Sequence, residues 1–359
     1  MSGRWVGALL ALSSFAGLSW TGSNVAEAGE ATGSGYRVLE PIRHGNLTVF
    51  PVVAAKSHDT AEFLTLDEGL KSGEVVVTES GGGPGLVRRS RPLQHDGAQV
   101  NQLVLVNNSK RPLILLAGEI VTGGKQDRII GKDRLIPAES DPIDLGVFCV
   151  EPGRWTGPTT KFNAFVGGMA QPAVRAKAMD DKDQAKVWSE VRSSQAAMAA
   201  AVPAPAREAI GGTTSYAQVM QNDEVKHRVD QVAAPIERGY QSLIQQLRQK
   251  DAVGVVVAVN GQLIWADIFA SNSLLDKYWP KLIRSYATEA VVSQAKQHEV
   301  DLKSAQEFLD HLGGRHETVE SEPGLYRHTE ISGDGFKAFE LTTLLPKTGF
   351  DLHVAKVVE

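Results

Sequence analysis

The chain has 359 residues, a formal net charge of -5 and a single cysteine, Cys149. One cysteine excludes an intramolecular disulfide and a thiolate-based zinc cage. With 42% hydrophobic and 22% charged residues and no broad positive excess, the chain is no collagen, rod or wholly disordered polymer, and nucleic acid is not an expected partner.

Residues 1–28 read as a secretory signal peptide. Arg4 supplies the positive start, residues 6–18 are apolar and small, and Ala26-Glu27-Ala28 fits a small-x-small cleavage site. Residues 29–35 are expected to form a disordered leader. No later segment has about 18 uninterrupted apolar residues. The expected product is exported, periplasmic or secreted, with no stable membrane span after cleavage.

Residues 36–170 read mostly as strands, at 47–53, 73–78, 102–106, 113–121 and 147–151. Thr65-Leu66-Asp67-Glu68 has the form of a capping box that opens a short helix. Residues 171–250 change character. Ala-rich residues 173–201 and the stretch 222–250 predict long helices. In the second, Val225, Val229, Val232, Ile236, Tyr240, Leu243 and Leu247 form one apolar stripe. Residues 251–359 return to strands. Asn260-Gly261 between residues 253–259 and 262–269 is a hairpin signature. A helix over 272–297 and a shorter one over 304–312 follow. Three further strands are expected, at 318–319, 335–342 and 350–357. Strands, then helices, then strands predict an α+β fold: a single integrated domain with β-rich N- and C-terminal portions around a helical middle.

Chemistry concentrates between Leu113 and Trp155. If Gly123-Gly124 were a two-residue hairpin loop, Glu119 would lie opposite Arg128, with Val121 and Gln126 on the same face. Arg binds carboxylates or phosphates through a two-pronged fork. Further on, Val147, Cys149 and Glu151 point one way on a strand, Pro152-Gly153 turns the chain, and Arg154-Trp155 adds a cation and an aromatic wall. Cys149 has apolar neighbours and reads as a buried, inert thiol, though a partner His distant in sequence would make it a nucleophile. Arg88, Arg89 and Arg91 flank a glycine-rich loop at 80–85. That loop lacks the Gly-Lys-Ser/Thr needed for phosphate binding. His311, His316, His328 and His353 match no metal-ligand spacing, and neither a metal nor a cofactor is expected.

Four stretches carry a resemblance: Thr65-Leu66-Asp67-Glu68-Gly69-Leu70, Ala117-Gly118-Glu119, Gly123-Gly124-Lys125-Gln126-Asp127-Arg128, and Cys149-Val150-Glu151-Pro152-Gly153-Arg154-Trp155. Together they resemble the bacterial ARG and Rhodanese-Phosphatase-superfamily-associated Protein domain, a domain of unknown function. The likeness extends through the hairpin at Gly254 to the helix around Trp279–Ala290. The family pattern runs G-E, G-x-K-Q-N-R, C-V-E-x-G-R-W. This chain departs from it at Asp127, where Asn is usual. The resemblance implies no established reaction.

Three functional readings use these residues. In the first, Glu119, Lys125, Gln126, Arg128, Glu151, Arg154 and Trp155 hold a small polar or anionic ligand. In the second, Glu119 and Glu151 act as the acid and base of a hydrolase. In the third, the motifs only build the fold or an interaction surface. The binding reading predicts that Glu119, Arg128, Glu151 and Arg154 converge in one cleft.

Overall fold

The computed structural model describes residues 35–80, 101–153, 160–247, 252–293, 298–346 and 348–359. The signal peptide, nearly all of the leader, the arginines at 88–91, and Arg154 and Trp155 lie outside the described residues. Ser34–Glu359 is one compact unit. It is α+β, with the β-rich ends and helical middle that the sequence predicts.

Six strands between Val75 and Met169 form a closed barrel, in the order β11 (Ile143–Cys149), β6 (Gln102–Asn107), β5 (Val75–Glu79), β12 (Lys161–Met169), β8 (Glu119–Gly123), β9 (Arg128–Ile130). Alternate residues fill its lumen, among them Val75, Val77, Leu103, Leu105, Val121, Ile130 and Val147. One end is plugged by helix α1 (Leu66–Ser72), whose Leu66 joins this core. The capping box is present: Thr65 Oγ1 accepts from Glu68 N, and Glu68 Oε2 accepts from Thr65 N. A small sheet of β10 (Arg134–Ile136), β7 (Leu113–Leu115) and β4 (Leu64–Thr65) sits beside the plug.

The second layer is a nine-stranded sheet, built mainly from the C-terminal part. Its centre is the expected hairpin, β13 (Ala252–Val259) and β14 (Gln262–Phe269). Asn260 and Gly261 both have positive φ, 56° and 74°, as a two-residue hairpin turn demands. β3 (Leu47–Ala54) pairs with β13, and β1 (Tyr36–Val38) and β2 (Ile42–His44) pair with β3. On the other side, β18 (Asp351–Val358), β17 (Phe336–Thr343), β16 (Tyr326–Gly333) and β15 (Arg315–Glu322) follow in order. β16 was not expected; its interrupted apolar pattern hides a strand that pairs on both sides.

The central strands are buried on both faces, so they read as continuous apolar runs. Val255 and Val257 face the main core, whereas Val253 and Val256 face a second core under α8 (Leu302–Asp310). The main core also holds the stripe of α6 (Asp223–Leu247), through Val225, Val229, Ile236 and Tyr240, and one face of α7 (Asn272–Val292). The first predicted helix breaks in two around a π-turn: α2 (Pro172–Ala176), then residues Lys177–Asp181, then α3 (Gln184–Ala201) capped by Asp183. Two short helices, α4 (Ala204–Gly211) and α5 (Tyr216–Gln221), complete the helical middle.

Barrel and sheet are joined by charge. Arg175 of α2 donates to both oxygens of Asp267 on β14, at 2.9 Å each. Asp267 also accepts from the Tyr286 hydroxyl of α7 and contacts His353 Nε2 of β18 at 3.1 Å. His353 Nδ1 lies 2.5 Å from Asp133, whose other oxygen accepts from Ala117 N at 2.7 Å. The side chains of Arg175, Asp267, His353 and Asp133 are 0% exposed. Arg175 also stacks over Trp265, 4.3 Å from the ring centre. Gly118, with φ 96°, leaves room for it, since a Cβ there would fall 2.6 Å from Arg175 Cγ. Burial disfavours the His353 cation, but the two flanking carboxylates push its pKa up to about 9. Burial likewise opposes ionisation of Asp267, and Arg175 with His353 holds it well below the usual carboxylate range.

Candidate functional site at the barrel mouth

The end of the barrel away from α1 carries the two motifs that the sequence singles out. The β8–β9 loop differs from the two-residue hairpin. β8 runs through Gly123, residues 124–127 form the loop, and Val121 pairs with Arg128. The pairing is therefore two residues out of the expected register, and Glu119 does not lie opposite Arg128. A two-residue shift preserves the face, so Arg128 still shares the lumen side with Val121 and Ile130. Two carboxylates explain the wider loop. Glu79 Oε1 accepts from Lys125 N at 2.6 Å, and Asp127 Oδ1 accepts from Gly123 N at 3.2 Å. Gly124, at φ 52°, permits the close approach: a Cβ there would meet Phe162 at 2.3 Å and Glu79 Oε1 at 2.6 Å.

The second motif folds onto this loop. Cys149 pairs with Arg128 across β11 and β9. Just past the strand, Glu151 Oε2 accepts from Asp127 N at 3.1 Å, and Gln126 Nε2 donates to Glu151 O at 3.0 Å. Arg128 Nη1 donates to Gln126 O at 2.7 Å. Gln126, Asp127, Arg128 and Glu151 thus come together, all buried, while Lys125 is half-buried at the edge. Asp127 Oδ2 accepts from Ser215 Oγ at 2.8 Å, and Ser215 caps α5. Both oxygens of Asp127 act as acceptors here, a task that the amide usual in the family would share between an acceptor and a donor. Cys149 is buried, and burial raises its thiol pKa. The group is a poor nucleophile at neutral pH.

Glu119 belongs elsewhere. It opens β8, four residues of strand (about 13 Å) from the Gly123 end that Glu151 adjoins. Its Oε1 accepts from Lys281 Nζ of α7 at 2.5 Å, and its Oε2 accepts from Leu116 N at 2.7 Å. Lys281 also donates to Asp67 of α1 at 2.7 Å. Burial raises the Glu119 pKa, and Lys281 opposes that rise. Lys281, between two carboxylates, is held above its ordinary value against the effect of its own burial. The expected convergence of Glu119 with Arg128 and Glu151 is therefore corrected: Glu119 ties the barrel to α1 and α7.

Glu79, Asp127 and Ser215 escaped the sequence reading. Glu79 alone had a signal. Val75 and Val77 face the lumen, so the same alternation points Glu79 inward, a carboxylate at the end of an apolar row. Among the described residues, Glu79 Oε2 and Gln126 Oε1 are buried acceptors with no hydrogen-bond partner. No group of three His, Cys, Asp or Glu among the described residues is placed to hold a metal ion. No described helix is long and apolar enough to cross a membrane.

The family model of the ARG and Rhodanese-Phosphatase-superfamily-associated Protein domain matches residues 35–355, nearly the whole described chain. No curated protein and no solved structure matches.

Proposed function

This chain belongs to the ARG and Rhodanese-Phosphatase-superfamily-associated Protein domain family, and we propose that it is a binding domain holding a small polar ligand at its barrel mouth. The observation that carries this reading is the pair of buried, unpartnered acceptors, Glu79 Oε2 and Gln126 Oε1, beside the 124–128 loop. A buried acceptor left unmatched costs about 1–3 kcal/mol, and a ligand hydroxyl or amine would satisfy it. Glu79, Asp127 and Glu151 outnumber Lys125 and Arg128 here, so a polar ligand rich in hydroxyl or amine donors fits best. Arg154 and Trp155 follow Gly153 directly in sequence, and we assign them a second cation and an apolar wall for the same ligand. The signal-like residues 1–28 support an exported, periplasmic or secreted setting for this binding.

The acid/base reading gains nothing from the geometry, because Glu119 and Glu151 serve different networks. A purely structural role has one observation in its favour, the burial of Arg128 and Glu151, at 0% and 3% exposure. A thermal-shift screen of the full chain against a library of polar metabolites separates the two. Binding predicts a stabilising hit that is lost in both Lys125→Ala and Gln126→Leu. A structural role predicts no hit, or hits that both variants retain.

A further inference from the structure

A cavity of about 220 Å³ lies between the outer wall of the barrel and the helices. Its walls come from four elements: Phe165 and Met169 of β12, Tyr216 and Met220 of α5, Val229 of α6 and Thr288 of α7. The polar groups of this lining are engaged internally. The Tyr216 hydroxyl accepts from Gln171 N at 3.2 Å, and the Thr288 hydroxyl donates to Arg284 O at 2.8 Å. The interior therefore presents rings, thioethers and methyls. Sulfur and aromatic edges adapt to a flat apolar guest. A cavity of about 150 Å³ accepts benzene, so this one has room for a single ring with a short substituent.

The rim differs in kind. Lys226, Asp230 and Arg284 ring the opening, and each of the two cations is paired with a carboxylate. Arg284 Nη1 pairs with Asp230 at 2.5 Å, with both side chains nearly half exposed. Lys226 pairs with Asp223, whose side chain is 100% exposed. Such exposed pairs are weak and exchange partners readily. A guest carboxylate at the rim can take the place of Asp230 on the Arg284 fork, which binds a carboxylate with two hydrogen bonds. We propose that this cavity binds a small amphipathic anion, an aromatic ring bearing one carboxylate, ring inward and carboxylate at Arg284 and Lys226. This site is independent of the barrel mouth and shares no residue with it. The two adjoin through α5: Ser215, bonded to Asp127 at the mouth, caps the helix that carries Tyr216 and Met220.

The test uses benzoate as the probe on the full chain. The sequence has only five methionines, so their methyl NMR signals are separable. Met169 and Met220 line the cavity, whereas Met179 and Met198 are buried in the main core. Benzoate titration is expected to move the Met169 and Met220 methyls and leave Met179 and Met198 in place. Benzylamine, the same ring with the opposite charge, is expected to bind at least about tenfold more weakly. Arg284→Gln, a change at the exposed rim, is expected to weaken benzoate by about tenfold, the loss of one charged hydrogen bond, while Arg284→Lys retains much of the affinity. Met220→Trp, which fills the cavity, is expected to abolish the shifts. Equal binding of benzylamine, an unaltered benzoate affinity in Arg284→Gln, or no movement of the two methyls at millimolar benzoate would overturn the proposal. Loss of the metabolite hit in Lys125→Ala leaves this result untouched, so the two sites fail separately.

Discussion

Two regions of this molecule concentrate charge in its interior, and they do so in opposite ways. At the barrel mouth, charged and amide side chains bond mostly to backbone: Arg128 to Gln126 O, Gln126 to Glu151 O, Glu151 to Asp127 N, Glu79 to Lys125 N. Between barrel and sheet, charged side chains bond to one another, Arg175 to Asp267 to His353 to Asp133. The first arrangement shapes a loop and leaves two acceptors unmatched. The second sets two cations against two carboxylates, and leaves one buried donor, Arg175 Nε, unmatched. Geometry thus separates a loop held through backbone groups from a side-chain network that holds two halves together.

The largest expected effect falls on the buried network. Asp267→Asn leaves Arg175 and His353 buried without their shared carboxylate, and removing one partner of a buried pair costs about 3–5 kcal/mol. Urea denaturation should show it as a lower midpoint at neutral pH. An unaltered midpoint would mean that the network does not bind the layers. The next effect is its pH dependence. The pKa of His353 is raised from 6.5 to about 9 in the folded chain. A raised pKa contributes stability that is fully present below the unfolded value near 6.5 and is lost as pH rises through about 9. The amount is on the order of 3 kcal/mol. Stability measured between pH 6 and pH 10 should fall accordingly, and His353→Gln should flatten that fall.

Smaller effects belong to the mouth and the plug. Ser215→Ala removes both the cap of α5 and the bond to Asp127, and an N-cap alone is worth about 1 kcal/mol. A loss of roughly 1–2 kcal/mol is expected in chemical denaturation, with the barrel intact by circular dichroism. Thr65→Ala, which breaks the capping box of α1, should cost about 1 kcal/mol. If Thr65→Ala proved costlier than Asp267→Asn, the contrast between local caps and the buried network would collapse.

The same contrast explains what could be read in advance. The mouth motifs are contiguous, so the short strings around Arg128 and Glu151 pointed to each other before any fold was known. The hairpin at Asn260-Gly261 and the stripe of α6 were equally legible, because turn chemistry and periodicity are local. The register at Gly123 was not, since it depends on Glu79, which arrives from a strand more than forty residues earlier and captures Lys125 N. The buried network was invisible for the same reason. His353 sits between Leu352 and Val354, and Asp267 between Ala266 and Ile268; each has apolar neighbours on both sides and partners distant in sequence. Glu119 read as a partner of Arg128 because alternation along a strand says which residues share a face, but not how far the loop slides the pairing.

The most direct test of the central claim is the thermal shift of a polar metabolite hit on three forms of the full chain: wild type, Lys125→Ala and His353→Gln. The account predicts that Lys125→Ala loses the ligand shift and lowers the ligand-free melting temperature less than His353→Gln does. For His353→Gln it predicts a lower ligand-free melting temperature with the shift retained. A ligand shift that survives Lys125→Ala but vanishes in His353→Gln would contradict it, and would move binding from the barrel mouth to the network between the layers.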